Sequence, residues 1–86
     1  MYINPKTVLS PKEKIRNLRV IYDSGDGGWS LGKMIYENEE VIGIRWNGDE
    51  KTPLGHPISN SHPVWFILPQ DISKLVEAYA TIMKTT

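Results

Sequence analysis

The sequence predicts a small α+β protein in which a short antiparallel sheet of about four strands is followed by a C-terminal amphipathic helix. Two observations carry this prediction. Three segments between residues 18 and 47 alternate apolar and polar side chains, and the last apolar residues of the chain recur at helical spacing. The chain has 86 residues, which is enough for one hydrophobic core and too few for two. We therefore expect a single domain that covers residues 1–86.

The N-terminal part is predicted to be an extended arm followed by a short helix. Residues 1–9 include a proline, whose ring fixes φ and removes an N–H, so no regular element is expected there. Ser10 can cap a helix that begins at Pro11, and Glu13 can return to the Ser10 N–H as a capping box. The run to Asn17 allows only one or two helical turns.

Three alternating segments predict the sheet. Residues 18–23 form the first strand, and the glycines of residues 24–28 permit the positive φ values of a turn. Residues 29–36 and 41–47 form two more strands, separated by a short polar segment. This arrangement predicts a β-hairpin in which the second and third strands pair antiparallel.

A long loop, a buried strand and a helix complete the predicted fold. Residues 47–63 contain three prolines and no strand pattern, which predicts a loop. Residues 64–68 are all apolar and are expected to form the most buried strand. The apolar stripe of a helix over residues 69–84 must lie on the sheet or on the mouth of a small barrel. The short strands also fit a partly open SH3-like barrel, an architecture that carries no function by itself.

The composition narrows the classes of protein to which the chain can belong. Lys plus Arg and Asp plus Glu both number ten, so no surplus of positive charge favours tight binding to duplex nucleic acid. Cysteine is absent, which excludes disulfides and thiolate metal sites and favours a cytoplasmic protein. No stretch resembles a signal peptide or approaches the roughly 18 apolar residues of a membrane span. We therefore expect no membrane association.

Two short motifs are superficially similar to catalytic or metal-binding sequences, and each has a simpler interpretation. Residues 28–32 match G-x-S-x-G around Ser30, but that motif requires a strand-to-helix turn and here it enters a strand. Residues 23–28 combine acids with glycines but lack the ligand spacing of a calcium loop, so a glycine-rich turn explains them. We predict no catalytic residue and no cofactor.

The only two histidines, His56 and His62, lie six residues apart in the long loop, close to Asp49 and Glu50. Two imidazoles and a carboxylate could ligate zinc or iron and support a small metal-dependent hydrolase. A structural site usually needs a fourth ligand, however, and the loop offers no regular element that would hold the pair. We therefore interpret both as loop histidines and predict no metal site.

The long loop and the neighbouring strand face are the predicted binding site. Structureless loops of more than about 12 to 15 residues are uncommon in compact domains and are often functional. The alternation of the third strand places Arg45 on the outward face, with Lys33 across the hairpin, while most aromatic side chains are expected in the core. The residues predicted to bind a partner are Arg45, Trp46, His56, Asn60 and His62.

These observations predict a non-catalytic interaction module that binds another protein through residues 47–63. One alternative is the binding of single-stranded nucleic acid on an aromatic, basic strand face, which the neutral net charge disfavours. A second alternative is the small metal-dependent hydrolase. A homo-oligomer is compatible with all three functions, because an open four-stranded sheet leaves edge strands.

Overall fold

The computed structural model describes residues 3–84 of the chain. In chain order the elements are a 3₁₀ helix at Pro5–Thr7, β1 at Ile15–Asp23, β2 at Trp29–Tyr36, β3 at Glu39–Trp46, β4 at Ile58–Ser59, β5 at His62–Pro63, β6 at Phe66–Ile67 and α1 at Gln70–Lys84. An antiparallel sheet has the order β1-β2-β3-β6, and β4 and β5 form a separate hairpin. The predicted fold class, a four-stranded antiparallel sheet with a C-terminal helix, is confirmed.

The hairpin between β2 and β3 is confirmed, and its turn is set by two residues. Glu37 and Asn38 both adopt left-handed backbone conformations, with φ of 50° and 70°. Two successive positive φ values are typical of the type I′ turn, whose twist matches that of antiparallel strands. The pairing continues without a break from Tyr36 opposite Glu39 to Trp29 opposite Trp46. This register decides which side chains share a face of the sheet.

Both faces of the sheet carry buried apolar side chains. On one face Leu31 and Ile42 pack against Ala80 of α1. The opposite face is covered by the N-terminal arm and by the segment that precedes β6. Its buried cluster consists of Val8, Ile15, Met34, Val41 and Trp65. The sheet is therefore the middle layer, and its two faces have different covers.

Helix α1 begins within one residue of its predicted start. Its side chains Val76 and Ala80 face the sheet, where they pack on Leu31 and Ile42. The charged residues Asp71, in the first turn, and Lys84, in the last, have the signs that the helix dipole favours. No helix within residues 3–84 has the length and apolar character needed to cross a membrane.

An ion pair also fastens the helix to the sheet, and it predicts a loss of stability at alkaline pH. The Lys33 Nζ atom of β2 lies 2.7 Å from the Glu77 Oε2 atom of α1. This hydrogen bond raises the pKa of Lys33 above its usual value. A lysine whose pKa is higher in the folded state than in the unfolded state, where it is about 10.4, contributes stability at any pH below the unfolded value. This contribution is lost as the pH rises through the pKa of the folded state.

We therefore expect the stability difference between wild type and the Lys33→Met variant to be constant up to about pH 9 and to shrink above about pH 10.5. Urea unfolding midpoints measured across this range give the difference directly. Lys74→Met is the matched control, because Lys74 is an exposed lysine of α1. A wild type to Lys33→Met difference that does not vary with pH would contradict the role of the ion pair.

A tryptophan fills a slot between two glycines on the face opposite the helix. Gly32 and Gly43 lie directly opposite each other on β2 and β3. A Cβ atom added to Gly43 would approach the Trp65 Cβ atom to 2.8 Å, and one added to Gly32 would meet the indole ring at 3.0 Å. The Trp65 Nε1–H donates a hydrogen bond of 2.8 Å to the Val8 carbonyl. Trp65 therefore joins the N-terminal arm to the sheet.

The predicted helix at residues 10–17 is wrong. The N–H groups of Lys14 and Ile15 donate to the Pro11 carbonyl in a turn, and β1 then begins at Ile15. Ile15 is buried in the core, and this tertiary contact outweighs the local capping signal at Ser10. Ser10 instead forms an isolated parallel bridge with Val64.

The N-terminal arm contains a short regular element that the sequence did not predict. A 3₁₀ helix occupies Pro5–Thr7, and the Asn4 side chain accepts a hydrogen bond of 2.9 Å from the Lys6 N–H. Val8 is completely buried, so the arm is part of the core rather than a loose extension. Residues 1 and 2 of the predicted arm lie outside the described residues.

The prediction of a most buried strand at residues 64–68 is also wrong. Only Phe66–Ile67 pairs with β3, at an edge of the sheet. Side chains of this apolar run point to opposite faces: Trp65 is 6% exposed, whereas Phe66 is 60% exposed. The predicted loop at residues 47–63 likewise contains the β4–β5 hairpin, whose turn has positive φ values at Asn60 and Ser61.

Candidate functional site

Helix α1 covers only part of its face of the sheet and leaves an aromatic surface open. Trp29 lies opposite Trp46 across β2 and β3, and Ile44 lies opposite Phe66 across β3 and β6. These side chains line an open cavity of about 500 Å³. Its lining residues are Trp29, Ile44, Arg45, Trp46, His56, Pro57 and Phe66. We call the surface formed by Trp29, Ile44, Trp46 and Phe66, with His56 and Pro57 beside it, the aromatic corner.

Two of the rings in the aromatic corner are available to a partner and the third is held in place. Trp46 and Phe66 are 59% and 60% exposed. Trp29 is half-buried, and its ring centroid lies 4.7 Å from that of Tyr22 and 5.6 Å from that of Tyr79 in α1. A hydrogen bond with Tyr22 raises the pKa of Tyr79 above its usual value. The helix therefore bounds the corner on one side.

The long loop is attached to the aromatic corner by backbone pairing. The Trp46 N–H donates to the His56 carbonyl at 2.8 Å, and the His56 N–H donates back to the Trp46 carbonyl at 3.2 Å. These two bonds place Pro57 and the exposed His56 beside the Trp46 indole. Loop and strand thus form one surface at this position.

Arg45, on the face of the sheet opposite to Trp46, binds the long loop through hydrogen bonds. Its guanidinium donates to the carbonyls of Val64 at 2.6 Å, of Pro57 at 3.4 Å and of Leu54. The Nε atom is buried and has no hydrogen-bond partner among the described residues. Removal from water lowers the pKa of Arg45 from its usual value. The arginine therefore organises the loop through backbone carbonyls.

The prediction that Arg45 stands on an exposed face with Lys33 is wrong. Arg45 is 2% exposed, because the loop folds back over that face of β3 and encloses the guanidinium. Lys33 projects from the helix-covered face, where it pairs with Glu77. Arg45 and Trp46 lie on opposite faces of β3, as the alternation predicts. Both faces of the sheet are covered for most of their length, so the face that carries Arg45 is not exposed.

A buried polar cluster fixes the glycine-rich turn beside the same end of the sheet. Asn47 is completely buried, and its Nδ2 atom donates to Asp23 Oδ1 at 2.9 Å and to the Gly25 carbonyl at 2.7 Å. The Ser30 hydroxyl donates to Asn47 Oδ1 at 2.5 Å. Ser30, the central residue of G-x-S-x-G, thus lies buried within a strand and is engaged with an amide. This cluster joins the ends of three strands.

A second polar contact orders the start of the long loop. The Asp49 Oδ1 atom accepts hydrogen bonds of 2.9 Å from the backbone N–H groups of both Thr52 and Lys51. These bonds favour the charged carboxylate and lower the pKa of Asp49. Asp49 is therefore engaged in a local turn.

The five residues predicted to bind a partner fall into three separate places. Trp46 and His56 meet in the aromatic corner, and Arg45 lies buried below them. Asn60 and His62 are exposed in and beside the turn of the β4–β5 hairpin. Within residues 3–84 no group of three or more His, Cys, Asp or Glu side chains is placed to hold a metal ion.

Sequence reasoning did not predict the contributions of Trp29, Ile44 and Phe66 to this surface. All three are apolar and lie in strand patterns, which favour a place in the core. The one signal in the sequence is that β2, β3 and β6 contain several aromatic residues. The sequence does not show which of these residues α1 covers and which it leaves exposed.

Comparisons with known proteins identify no relative: no family model, no curated protein and no solved structure matches the chain significantly.

Proposed function

We propose that the protein is a non-catalytic interaction module that binds an apolar segment of another protein at the aromatic corner. One observation carries the proposal: two neighbouring aromatic side chains, Trp46 and Phe66, are more than half exposed over a single cavity. Adjacent exposed apolar side chains often mark interaction sites, and aromatic residues are enriched at the centres of interfaces. The absence of cysteine is compatible with binding in the cytoplasm, and that location stays a prediction.

The charges around the cavity favour a protein partner over a nucleic acid. Single-stranded nucleic acid is bound by a positively charged groove that follows the phosphates, combined with aromatic rings that stack on bases. The lining of the corner supplies rings, but its one arginine, Arg45, is enclosed by backbone carbonyls. His56 is the only other ionisable residue in that lining. Apolar side chains of a polypeptide suit such a surface better than phosphates.

The support beneath the corner also favours binding. Trp46 is fixed by the backbone pair with His56, and the loop behind it is held by Arg45. Surfaces that are ordered before binding lose less conformational entropy when a partner arrives. A short apolar segment can therefore bind here without first ordering the loop.

A selection from a displayed library of random peptides tests the proposal. We expect apolar peptides that bind the wild-type protein and lose about 30-fold or more in affinity with Trp46→Ser or Phe66→Ser, as is typical of interface hot spots. Leu9→Ser is the matched control, because Leu9 is an exposed apolar residue that does not line the corner. Affinities are measured by fluorescence anisotropy of the selected peptides.

Two results would contradict the proposal. Peptides whose affinity is the same for wild type, Trp46→Ser and Phe66→Ser would place the binding site elsewhere. Failure to select any peptide, together with binding of an oligothymidine that weakens steeply with added salt and is lost in Trp46→Ser, would establish the nucleic-acid alternative.

A further inference from the structure

The backbone groups beside the exposed rings of the aromatic corner are already paired within the chain. The N–H and carbonyl groups of Trp46 bond to those of His56 in both directions. The Pro57 carbonyl accepts a hydrogen bond of 3.1 Å from the Val64 N–H. A peptide cannot add to Trp46 or His56 as a further β-strand, because that mode of binding needs unpaired backbone groups at a strand edge.

The indole N–H of Trp46, in contrast, has no hydrogen-bond partner among residues 3–84. The side chain is exposed in the corner. The indole of Trp65, on the other face of the sheet, donates to the Val8 carbonyl. An indole N–H can donate a hydrogen bond but cannot accept one. A partner that covers Trp46 must therefore supply an acceptor, because a donor that is buried without one costs free energy.

This requirement distinguishes the conformations in which a peptide can bind. The carbonyls inside an α-helix are engaged in hydrogen bonds of the helix itself, so a bound helix offers no free backbone acceptor. An extended segment of ordinary residues has free carbonyls but also brings N–H groups, and the carbonyls of Trp46, His56 and Pro57 already accept hydrogen bonds. A polyproline II segment rich in proline has free carbonyls and few N–H groups, because proline lacks one. Its backbone matches the corner best.

The side chains of the corner match the same class of partner. The cavity lining contains no Asp, Glu or Lys, and its one arginine is buried. Trp46 and Phe66 present aromatic rings, and segments rich in proline bind in grooves that such rings line. A polyproline II segment is also ordered before it binds, so little conformational entropy is lost.

We propose that the occupant of the aromatic corner is a proline-rich segment of another protein, bound in the polyproline II conformation. Its proline rings pack on Trp46 and Phe66, and one of its carbonyls accepts a hydrogen bond from the Trp46 Nε1–H. This inference rests on the proposed function and adds the chemical class of the partner to it.

A labelled peptide of ten L-proline residues is the first probe, with binding followed by fluorescence anisotropy. The control peptide alternates L- and D-proline, so it has the same composition but cannot form a regular polyproline II helix. We expect the first peptide to bind saturably and the second to bind at least tenfold more weakly. Trp46→Ser or Phe66→Ser is expected to weaken binding by about 30-fold or more, and the control Leu9→Ser is expected to leave it unchanged.

The hydrogen bond is tested separately from the packing. Trp46→Phe keeps an aromatic ring and removes the Nε1 donor, so we expect binding to weaken about threefold to tenfold. In ¹H–¹⁵N spectra of the wild type, the Trp46 indole signal is expected to shift as the L-proline peptide is added. The Trp65 indole, which is bonded to Val8, is expected to stay in place and is the internal control. A Trp46 signal that does not move while the peptide binds would overturn the assignment.

The outcomes for the class of partner and for the proposed function are distinguishable. The L-proline peptide can fail to bind while apolar peptides without proline are selected and need Trp46. That result would overturn this inference and leave the interaction module standing. Absence of binding by the L-proline peptide and by every selected peptide would contradict both. Equal affinity of the L-proline peptide for wild type and Trp46→Ser would also overturn the inference.

Discussion

Replacement of Arg45 with methionine is expected to lower the free energy of unfolding by about 3 to 5 kcal/mol. The change leaves the carbonyls of Leu54 and Val64 without this donor, while the Pro57 carbonyl keeps the hydrogen bond that it accepts from the Val64 N–H. Each buried group left unpaired costs about 1 to 3 kcal/mol. The substitution also removes a buried charge and its unpaired Nε atom, which is stabilising, but we expect this gain to offset only part of the loss from the unpaired carbonyls. For a protein whose total stability is on the order of 4 to 13 kcal/mol, the effect is large.

Urea unfolding at neutral pH measures the change in the free energy of unfolding. Two further variants show which property of Arg45 is responsible for it. Arg45→Lys keeps the charge but loses the planar fork of donors, so we expect an intermediate loss. Arg19→Met removes an exposed arginine of β1 and is expected to change stability by less than about 0.5 kcal/mol. An Arg45→Met protein that is as stable as wild type, or more so, would mean that desolvation outweighs the three hydrogen bonds.

Truncation of Trp65 to alanine is expected to cost about 3 to 5 kcal/mol, the usual range for a buried tryptophan. The indole fills the slot between Gly32 and Gly43, and neither glycine has a side chain that could close the cavity left behind. The same change removes the hydrogen bond to the Val8 carbonyl, which anchors the N-terminal arm.

The two contributions of Trp65 can be separated by substitution with phenylalanine. Trp65→Phe keeps most of the apolar contact and loses the Nε1 donor, so a loss of about 1 to 2 kcal/mol is expected. Phe66→Ala is the matched control in the next residue, and because Phe66 is largely exposed we expect less than about 1 kcal/mol. Equal losses in Trp65→Ala and Phe66→Ala, measured by urea unfolding, would contradict the packing described for the slot.

The elements that depend on local signals could be predicted from the sequence. The repeat of apolar residues along α1 and the polar turn at Glu37 and Asn38 need no distant partner to be recognised. The capping signal at Ser10 is equally local, yet no helix forms there. Burial of Ile15 against the sheet decides that segment, and such a contact between distant segments leaves no mark in the sequence around Ser10.

The candidate site could be predicted only in part, for a similar reason. The length of the loop drew attention to His56, and His56 lines the same cavity as the neighbouring Trp46. An apolar run such as residues 64–68 does not reveal which of its side chains meets a neighbour, so the exposure of Phe66 was not predicted. Arginine is almost never fully buried unless it is paired, and the acceptors of Arg45 are backbone carbonyls, which every sequence supplies.

The order of the elements along the chain has a consequence for synthesis of the protein. Leu31 and Ile42 form part of a sheet that can pair as soon as β1, β2 and β3 are present, but their cover arrives only with residues 70–84. The bond between Trp65 and Val8 joins residues 57 positions apart. Contacts of such long range slow folding, and uncovered apolar strands favour aggregation while the chain is incomplete. One face of the sheet is therefore bare during synthesis until residues 70–84 have been added.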